Sequence, residues 1–361
     1  MKYKICENTK EAAYLQLYRM VRDDIVGGIY AYGTKLPSKR FLSDETGVSV
    51  VTVEHAYALL CDEGYVEARE RSGYFTIFRA EDFATQGKST GGFLRKSVRA
   101  GEQTVHSFPF STLAKTMRKV ISDYGEAVLE RSPNSGCSEL RNAISHYLAR
   151  SRGIKAEAGQ IVIGSGAEYL YGLIVELLGR DRIYAIESPS YEKIEKVYHA
   201  ADVQYESLPL TSDGIESASL SKSSAEVLHI TPYRSFPSGV TASASKRYEY
   251  VRWASKGERY IVEDDFESEF SVSTKPEETL FSLSDRDNVI YVNTFSKTIS
   301  PALRVGYMVL PKTLIARFEE KLGFYSCTVP TFEQFVISEL IANGDFERNI
   351  NRVRRKKRKE L

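Results

Sequence analysis

A chain of 361 residues has room for two or more domains, each with its own core. Its 42% hydrophobic and 27% charged residues are those of a globular protein, and a formal net charge of +1 rules out inferring nucleic-acid binding from bulk charge. The four cysteines lie far apart and make no metal or redox motif. No apolar run is long enough to span a membrane, and Met1 to Lys10 is too polar for a signal peptide, so a reducing cytoplasm is the expected location.

Tyr14, Leu17, Tyr18, Val21 and Ile25 recur at helical spacing, and Gly27-Gly28 ends the run. Ser38 is placed to cap a short helix through Thr46. Gly47 makes a turn, and Ser49 caps a second helix through Glu63, which Gly64 ends. Tyr65 to Ala68 and Tyr74 to Phe78 alternate like strands around a turn at Arg71-Ser72-Gly73. This is the order of a winged helix-turn-helix, although a small α+β module of another kind could share it.

Four segments narrow the choice: Leu36-Pro37-Ser38-Lys39-Arg40, Gly47-Val48-Ser49, Thr52-Val53 and Leu59-Leu60-Cys61-Asp62-Glu63-Gly64-Tyr65. Together they resemble the DNA-binding domain of the GntR family. The resemblance implies a double-stranded DNA operator as partner. By it, Arg40 meets a phosphate or base, Ser49 and Thr52 begin the recognition helix, and Arg71, Ser72 and Gly73 form a wing tip suited to the minor groove. With ten Lys/Arg and eleven Asp/Glu the first 78 residues are not basic overall. Many relatives carry an arginine directly after the position of Ser49, where this chain has Val50 and then Val51. An arginine reading guanine is worth about 1–3 kcal/mol of discrimination. Its replacement points to readout through thymine methyls and DNA shape, or to weaker binding.

Residues 79–105 are polar, glycine-containing and without period, and read as an interdomain linker. From His106 onward apolar runs alternate with helical patterns, as in a sheet covered on both faces. Ser138 to Ile154 is an amphipathic helix with a glycine stop. Ile161-Val162-Ile163 runs into Gly164-Ser165-Gly166-Ala167 and a helix. Backbone N–H groups at such a helix start can hold a phosphate, though a tight strand-to-helix turn is the plainer reading. Further strands are expected at 183–186 and 227–230. Tyr191 follows the first, and Thr231-Pro232-Tyr233-Arg234-Ser235-Phe236-Pro237-Ser238-Gly239 follows the second.

The densest chemistry lies between two short buried strands, 289–292 and 305–310. The loop joining them carries Lys297 and, seven residues on, Arg304, with hydroxyls at Thr294, Ser296, Thr298 and Ser300. A lysine at a strand end can form a Schiff base with an aldehyde cofactor, and hydroxyls beside a guanidinium suit a phosphate. Pyridoxal phosphate has both groups. Loop lysines are more often simply solvated, but Tyr260-Ile261-Val262 adds a second strand ending in Glu263-Asp264-Asp265. A carboxylate there can pair with a pyridine nitrogen and keep the ring an electron sink.

The two segments resemble the aminotransferase-like domain of MocR-type regulators, a subfamily of the GntR transcription factors. Typical members show Glu-Asp-Asp-Tyr and then Thr-Phe-Ser-Lys-Thr-Leu-Ser-Pro-Ala-Leu-Arg-Leu-Gly-Tyr. The resemblance runs from about Tyr14 to the last residue. It implies a winged helix-turn-helix joined to an α/β fold-type I large domain over 106–361. By it, Lys297 carries pyridoxal 5′-phosphate as an imine and Asp264 pairs with the ring nitrogen. Arg304, Ser296, Thr294 and the Ser165, Gly166, Ala167 turn hold the phosphate, and Tyr191 stacks on the ring. It further implies a homodimer that senses the cofactor or a small amine or amino acid.

The chain departs from the family pattern at three places. Arg234-Ser235 replaces His-Gln, Phe266 replaces the tyrosine of Asp-Asp-Tyr, and relatives continue past Arg355 into a small domain that this sequence is expected to lack. Two other functions stay open at this stage. One is a true pyridoxal-phosphate aminotransferase, against which the winged helix argues. The other is a decayed regulator that no longer holds the cofactor.

Overall fold

The computed structural model describes residues 3–6, 11–69, 72–78, 108–265, 268–271 and 278–360. Arg71, the expected linker 79–105 and Phe266 lie outside the described residues. The chain divides into two compact units, Met1–Arg99 and Ala100–Leu361.

In the first unit α1 (Ala13–Val26) turns Leu17, Tyr18, Val21 and Ile25 inward, the face its 3.6-residue period defines. Ser38 Oγ accepts the Phe41 N–H at 3.2 Å and starts α2 (Lys39–Thr46). Gly47 ends it in the left-handed conformation, φ 72°, where a side chain would be strained. Ser49 Oγ accepts the Thr52 N–H at 3.1 Å and starts α3 (Val50–Asp62). Leu42, Val53, Ala56, Tyr57 and Leu60 close the core with α1. The wing follows as β1 (Val66–Arg69) and β2 (Gly73–Thr76), antiparallel with Arg69 opposite Gly73. β1 lies one residue later than the alternation in the sequence, while β2 ends two residues earlier and starts one earlier, at the left-handed Gly73, whose φ of 110° closes the hairpin. The segment before α2 joins the wing: Thr34 O accepts from Thr76 N–H and Leu36 N–H donates to Tyr74 O, both at 2.9 Å.

The second unit runs α4 (Phe110–Tyr124), α5 (Ser138–Ser151), β3 (Ile161–Gly164), α6 (Ala167–Leu178), β4 (Tyr184–Ser188), α7 (Glu192–Ala200), β5 (Tyr205–Thr211), β6 (Gly214–Ile215), α8 (Ser217–Lys222), β7 (Val227–Ile230), α9 (Ala244–Ala254), β8 (Tyr260–Asp264), α10 (Leu280–Leu283), β9 (Val289–Thr294), β10 (Gly306–Val309), α11 (Lys312–Leu322), α12 (Thr331–Ala342) and α13 (Asp345–Glu360). Eight strands form one sheet in the order β3-β10-β9-β8-β7-β4-β5-β6. Strands β5, β4, β7, β8 and β9 are parallel, while β10 runs antiparallel between β9 and β3, and β6 runs antiparallel on β5.

The sheet is buried on both faces, and alternate residues show it. Val162, Val292 and Met308 pack with Leu170, Ile174 and Leu177 of α6. Ile163, Tyr291, Tyr307 and Val309 pack with α5 and α12. This explains why the strands read as unbroken apolar runs. It also leaves the carboxyl ends of β4, β7, β8 and β9 as the place where polar side chains can gather. No helix among the described residues is long and apolar enough to cross a membrane.

Candidate functional site

Asp264 ends β8 and Thr294 ends β9, and the two strands are hydrogen-bonded neighbours. The lysine loop therefore starts beside the acidic strand end, although about thirty residues of chain separate them. A cavity of about 390 Å³ opens there. Asp264, Thr294, Ser296, Lys297, Arg304, Tyr191 and Ala167 all line it, so seven of the residues expected from sequence converge on one space.

The turn expected to hold a phosphate is only partly at the cavity. Of Ser165, Gly166 and Ala167 only Ala167 lines the cavity. The Ser165 N–H donates to Thr328 Oγ1 at 3.1 Å and the Gly166 N–H to Gly164 O at 2.9 Å, so neither is idle. Gly166 instead makes room: its φ is 97°, and a Cβ there would stand 3.0 Å from Arg304 Nη2. A glycine lets the guanidinium lie against the start of α6.

Asp264 is 2% exposed. Tyr171, one turn into α6 from Ala167, donates its hydroxyl to Asp264 Oδ2. Oδ1 has no hydrogen-bond partner among the described residues. Burial pushes the Asp264 carboxyl up to about 7, against the pull of the Tyr171 hydrogen bond and the Lys297 charge. A cationic donor reaching Oδ1 would relieve that burial cost. Among the described residues Asp265 Oδ1 and Glu269 Oε2 also lack partners, but neither residue lines the cavity. Asp265 points into a different network, accepting from Arg152 Nη2 and from the Tyr291 hydroxyl at 2.7 Å each.

Sequence reading missed four lining residues: Glu168, Tyr171, Lys193 and Phe236. Tyr171 was within reach, because positions 167 and 171 share a helix face. Glu168 and Lys193 carry no local signal of their meeting. Phe236 packs edge-on against Tyr191, with ring centroids 6.1 Å apart. At the departure from the family pattern, the Ser235 hydroxyl donates to Glu187 Oε2 at 2.6 Å and is taken up inside the fold.

In the first unit Arg40 is exposed and makes no ion pair among the described residues. Ser49 caps α3 and shares a 2.8 Å hydroxyl contact with Thr52, so its oxygen already has a structural task. Between and beside them Val50 and Val51 are 40% and 60% exposed at the first turn of the helix. Ser72 and Gly73 shape the hairpin tip, where Ser72 N–H donates to Arg69 O at 3.0 Å.

Comparison with known proteins accounts for both units. Residues 13–76 match the family model of bacterial regulatory proteins of the gntR family, and residues 104–360 match that of class I and II aminotransferases. The chain is 31% identical over 356 residues to the HTH-type transcriptional regulator YdeL of Bacillus subtilis, covering 96% of this chain and 77% of the relative. It is 27% identical over 346 residues to the HTH-type pyridoxine biosynthesis transcriptional regulator PdxR of Corynebacterium glutamicum, covering 94% and 75%. It is 26% identical over 363 residues to the "Probable rhizopine catabolism regulatory protein MocR" of Rhizobium meliloti, covering 94% and 74%. Among solved structures it resembles the kynurenine aminotransferase of Pyrococcus horikoshii with TM-score 0.62 and 26% identity, over 69% of this chain. The chain spans 64% of that aminotransferase's length. The second unit thus has the fold-type I aminotransferase architecture, and the chain belongs to the MocR-type subfamily of GntR transcriptional regulators.

Proposed function

We propose that this regulator binds an operator through its winged helix and holds pyridoxal 5′-phosphate in the second unit, where it senses the cofactor or a small amine or amino acid. One observation carries the cofactor reading: a buried carboxylate with an unpartnered oxygen shares a cavity with a lysine, an arginine and two hydroxyls. The donor set fits the group. Lys297 Nζ is the amine for the aldehyde carbon, and Asp264 Oδ1 is the acceptor for the ring N–H. Arg304, Ser296, Thr294 and the start of α6 would hold the phosphate, and Tyr191 with Phe236 would wall the ring. When bound, the cofactor supplies an electrophilic carbon that exchanges amines. This chain's residues orient it and keep its ring nitrogen protonated.

In the first unit Arg40 is the phosphate contact, and the exposed Val50 and Val51 suit thymine methyls. Thr52 stands with Ser49 at the start of the reading helix, and Ser72 and Gly73 serve at the wing tip. The protein works in the cytoplasm as a homodimer. Exposed Phe110, Leu129 and Phe324 on the second unit supply apolar surface for a second copy.

The test is an absorbance titration of the full chain with pyridoxal phosphate beside Lys297→Ala, followed by borohydride reduction and peptide mapping. The expected result is a visible band and an adduct on Lys297, both abolished in the variant. No band and no adduct would leave a DNA-binding module joined to a structural remnant. Sustained amino-group transfer between an amino acid and a keto acid would favour the aminotransferase reading instead.

A further inference from the structure

The cavity contains a clasp that the cofactor reading does not by itself require. Glu168 is the second residue of α6, where backbone N–H groups are unsatisfied and the helix dipole favours an anion. Its carboxylate is shared between two cations from distant parts of the chain. Arg304 Nη2 donates to Oε2 at 2.8 Å, and Lys193 Nζ donates to Oε1. All three side chains line the same cavity as Lys297 and Asp264. Burial alone would raise the Glu168 carboxyl. The Lys193 bond, its own backbone N–H and Arg304 outweigh that and hold it down at about 2, so it stays ionised at physiological pH.

A helix start, a guanidinium and an ammonium around one anion are the surroundings a phosphate monoester seeks. A carboxylate and a phosphate dianion cannot share them, because like charges at contact distance repel. The Glu168 side chain is 25% exposed, so it has a way out to water. Arg304 and Lys193 are about half exposed and keep freedom to regroup. Lys193 also lies over the Tyr191 ring, 5.9 Å from its centroid, which ties the clasp to the wall of the ring site.

We propose that the Glu168 carboxylate is an internal stand-in for the cofactor phosphate, and that Lys193 joins Arg304 as a phosphate-binding cation once Glu168 is displaced. This rests on the cofactor reading above. Holding the cations in place before the cofactor arrives keeps the cradle formed, while the competition lowers affinity.

The experiment compares the full chain with Glu168→Gln and Lys193→Ala in titrations with pyridoxal phosphate and with pyridoxal, which lacks the phosphate. Glu168→Gln removes the competing charge and should tighten pyridoxal phosphate by about tenfold, the scale of one charge-assisted contact. Lys193→Ala should weaken it by a similar factor. Neither change should move pyridoxal. If Glu168→Gln binds pyridoxal phosphate no better or more weakly, Glu168 merely positions Arg304 and the proposal falls while the cofactor reading stands. Equal shifts with both ligands would also overturn it. If no variant, the unaltered chain included, takes up the cofactor or yields a borohydride adduct, both readings fail together.

Discussion

The two units keep their charges in opposite ways. The core of the winged helix is apolar, built from Leu17, Val21, Leu42, Val53, Ala56 and Leu60, with Thr76 the one polar side chain buried among its described residues. The second unit buries Glu187, Glu263, Asp264, Asp265 and Glu269. All five lie at or just beyond the carboxyl ends of β4 and β8. Each accepts at least one hydrogen bond within the fold, Asp264 from Tyr171. Ser235 donates to Glu187, and the N–H groups of Leu280 and Phe281 donate to Glu263 at 2.9 Å each. Arg152 pairs with Asp265, and Asn293 donates to Glu269 at 2.7 Å. Among the described residues Asp264, Asp265 and Glu269 each keep an oxygen without a partner, and of the five only Asp264 lines the cavity. A unit that reads DNA with surface groups needs no buried charge. A unit proposed to hold a charged small molecule can bury charge only if a surrounding shell of donors supports it.

The sharpest way to break this contrast is to remove the guanidinium paired with Asp265. Arg152 is nearly fully buried and pairs with a fully buried Asp265. Arg152→Leu should cost about 3–5 kcal/mol in denaturant unfolding, because it strands a carboxylate in the core. Adding Asp265→Asn should recover part of the loss. Full stability in the single variant would show that the acids do not need the pairing.

The pH dependence is the next largest effect. Burial lifts Glu187 and Glu263 to about 8, Asp264 to about 7, and raises Glu269. Folded values above unfolded ones mean that the native state holds more protons between about pH 4 and 8. Stability is therefore greatest at the acidic end of that window and falls as pH rises through it. The cofactor-free chain should show a Tm that declines from pH 6 to 8.5, and Asp264→Asn should make the decline shallower. A flat profile would mean that the four acids are ionised at little cost.

The smallest effect belongs to the first unit. Ser49→Ala removes the cap of α3 and should cost about 1 kcal/mol. Ser49→Gly should cost less, since glycine tolerates the cap conformation. Operator affinity measured alongside separates the cap from a direct contact. A loss of binding much larger than the loss of folding, in both variants, would put the hydroxyl on DNA as well.

Much of this molecule is written locally. The caps at Ser38 and Ser49, the turns at Gly47 and Gly73, and the helical period of α1 and α5 each depend on residues within one or two turns of chain. Lys297, Arg304 and Asp264 were legible for the same reason: each sits beside a short apolar run that could only be a buried strand. The strand order was not local. It sets β8 against β9 and brings α6 over them, and it alone decides that Glu168 meets both Lys193 and Arg304, 136 residues from the latter in sequence. Arg152 and Asp265 meet across 113 residues in the same way. Periodicity and capping encode what a segment becomes. Which charges share a low-dielectric space depends on how segments stack, so only the tertiary structure could reveal the clasp and the shell beneath it.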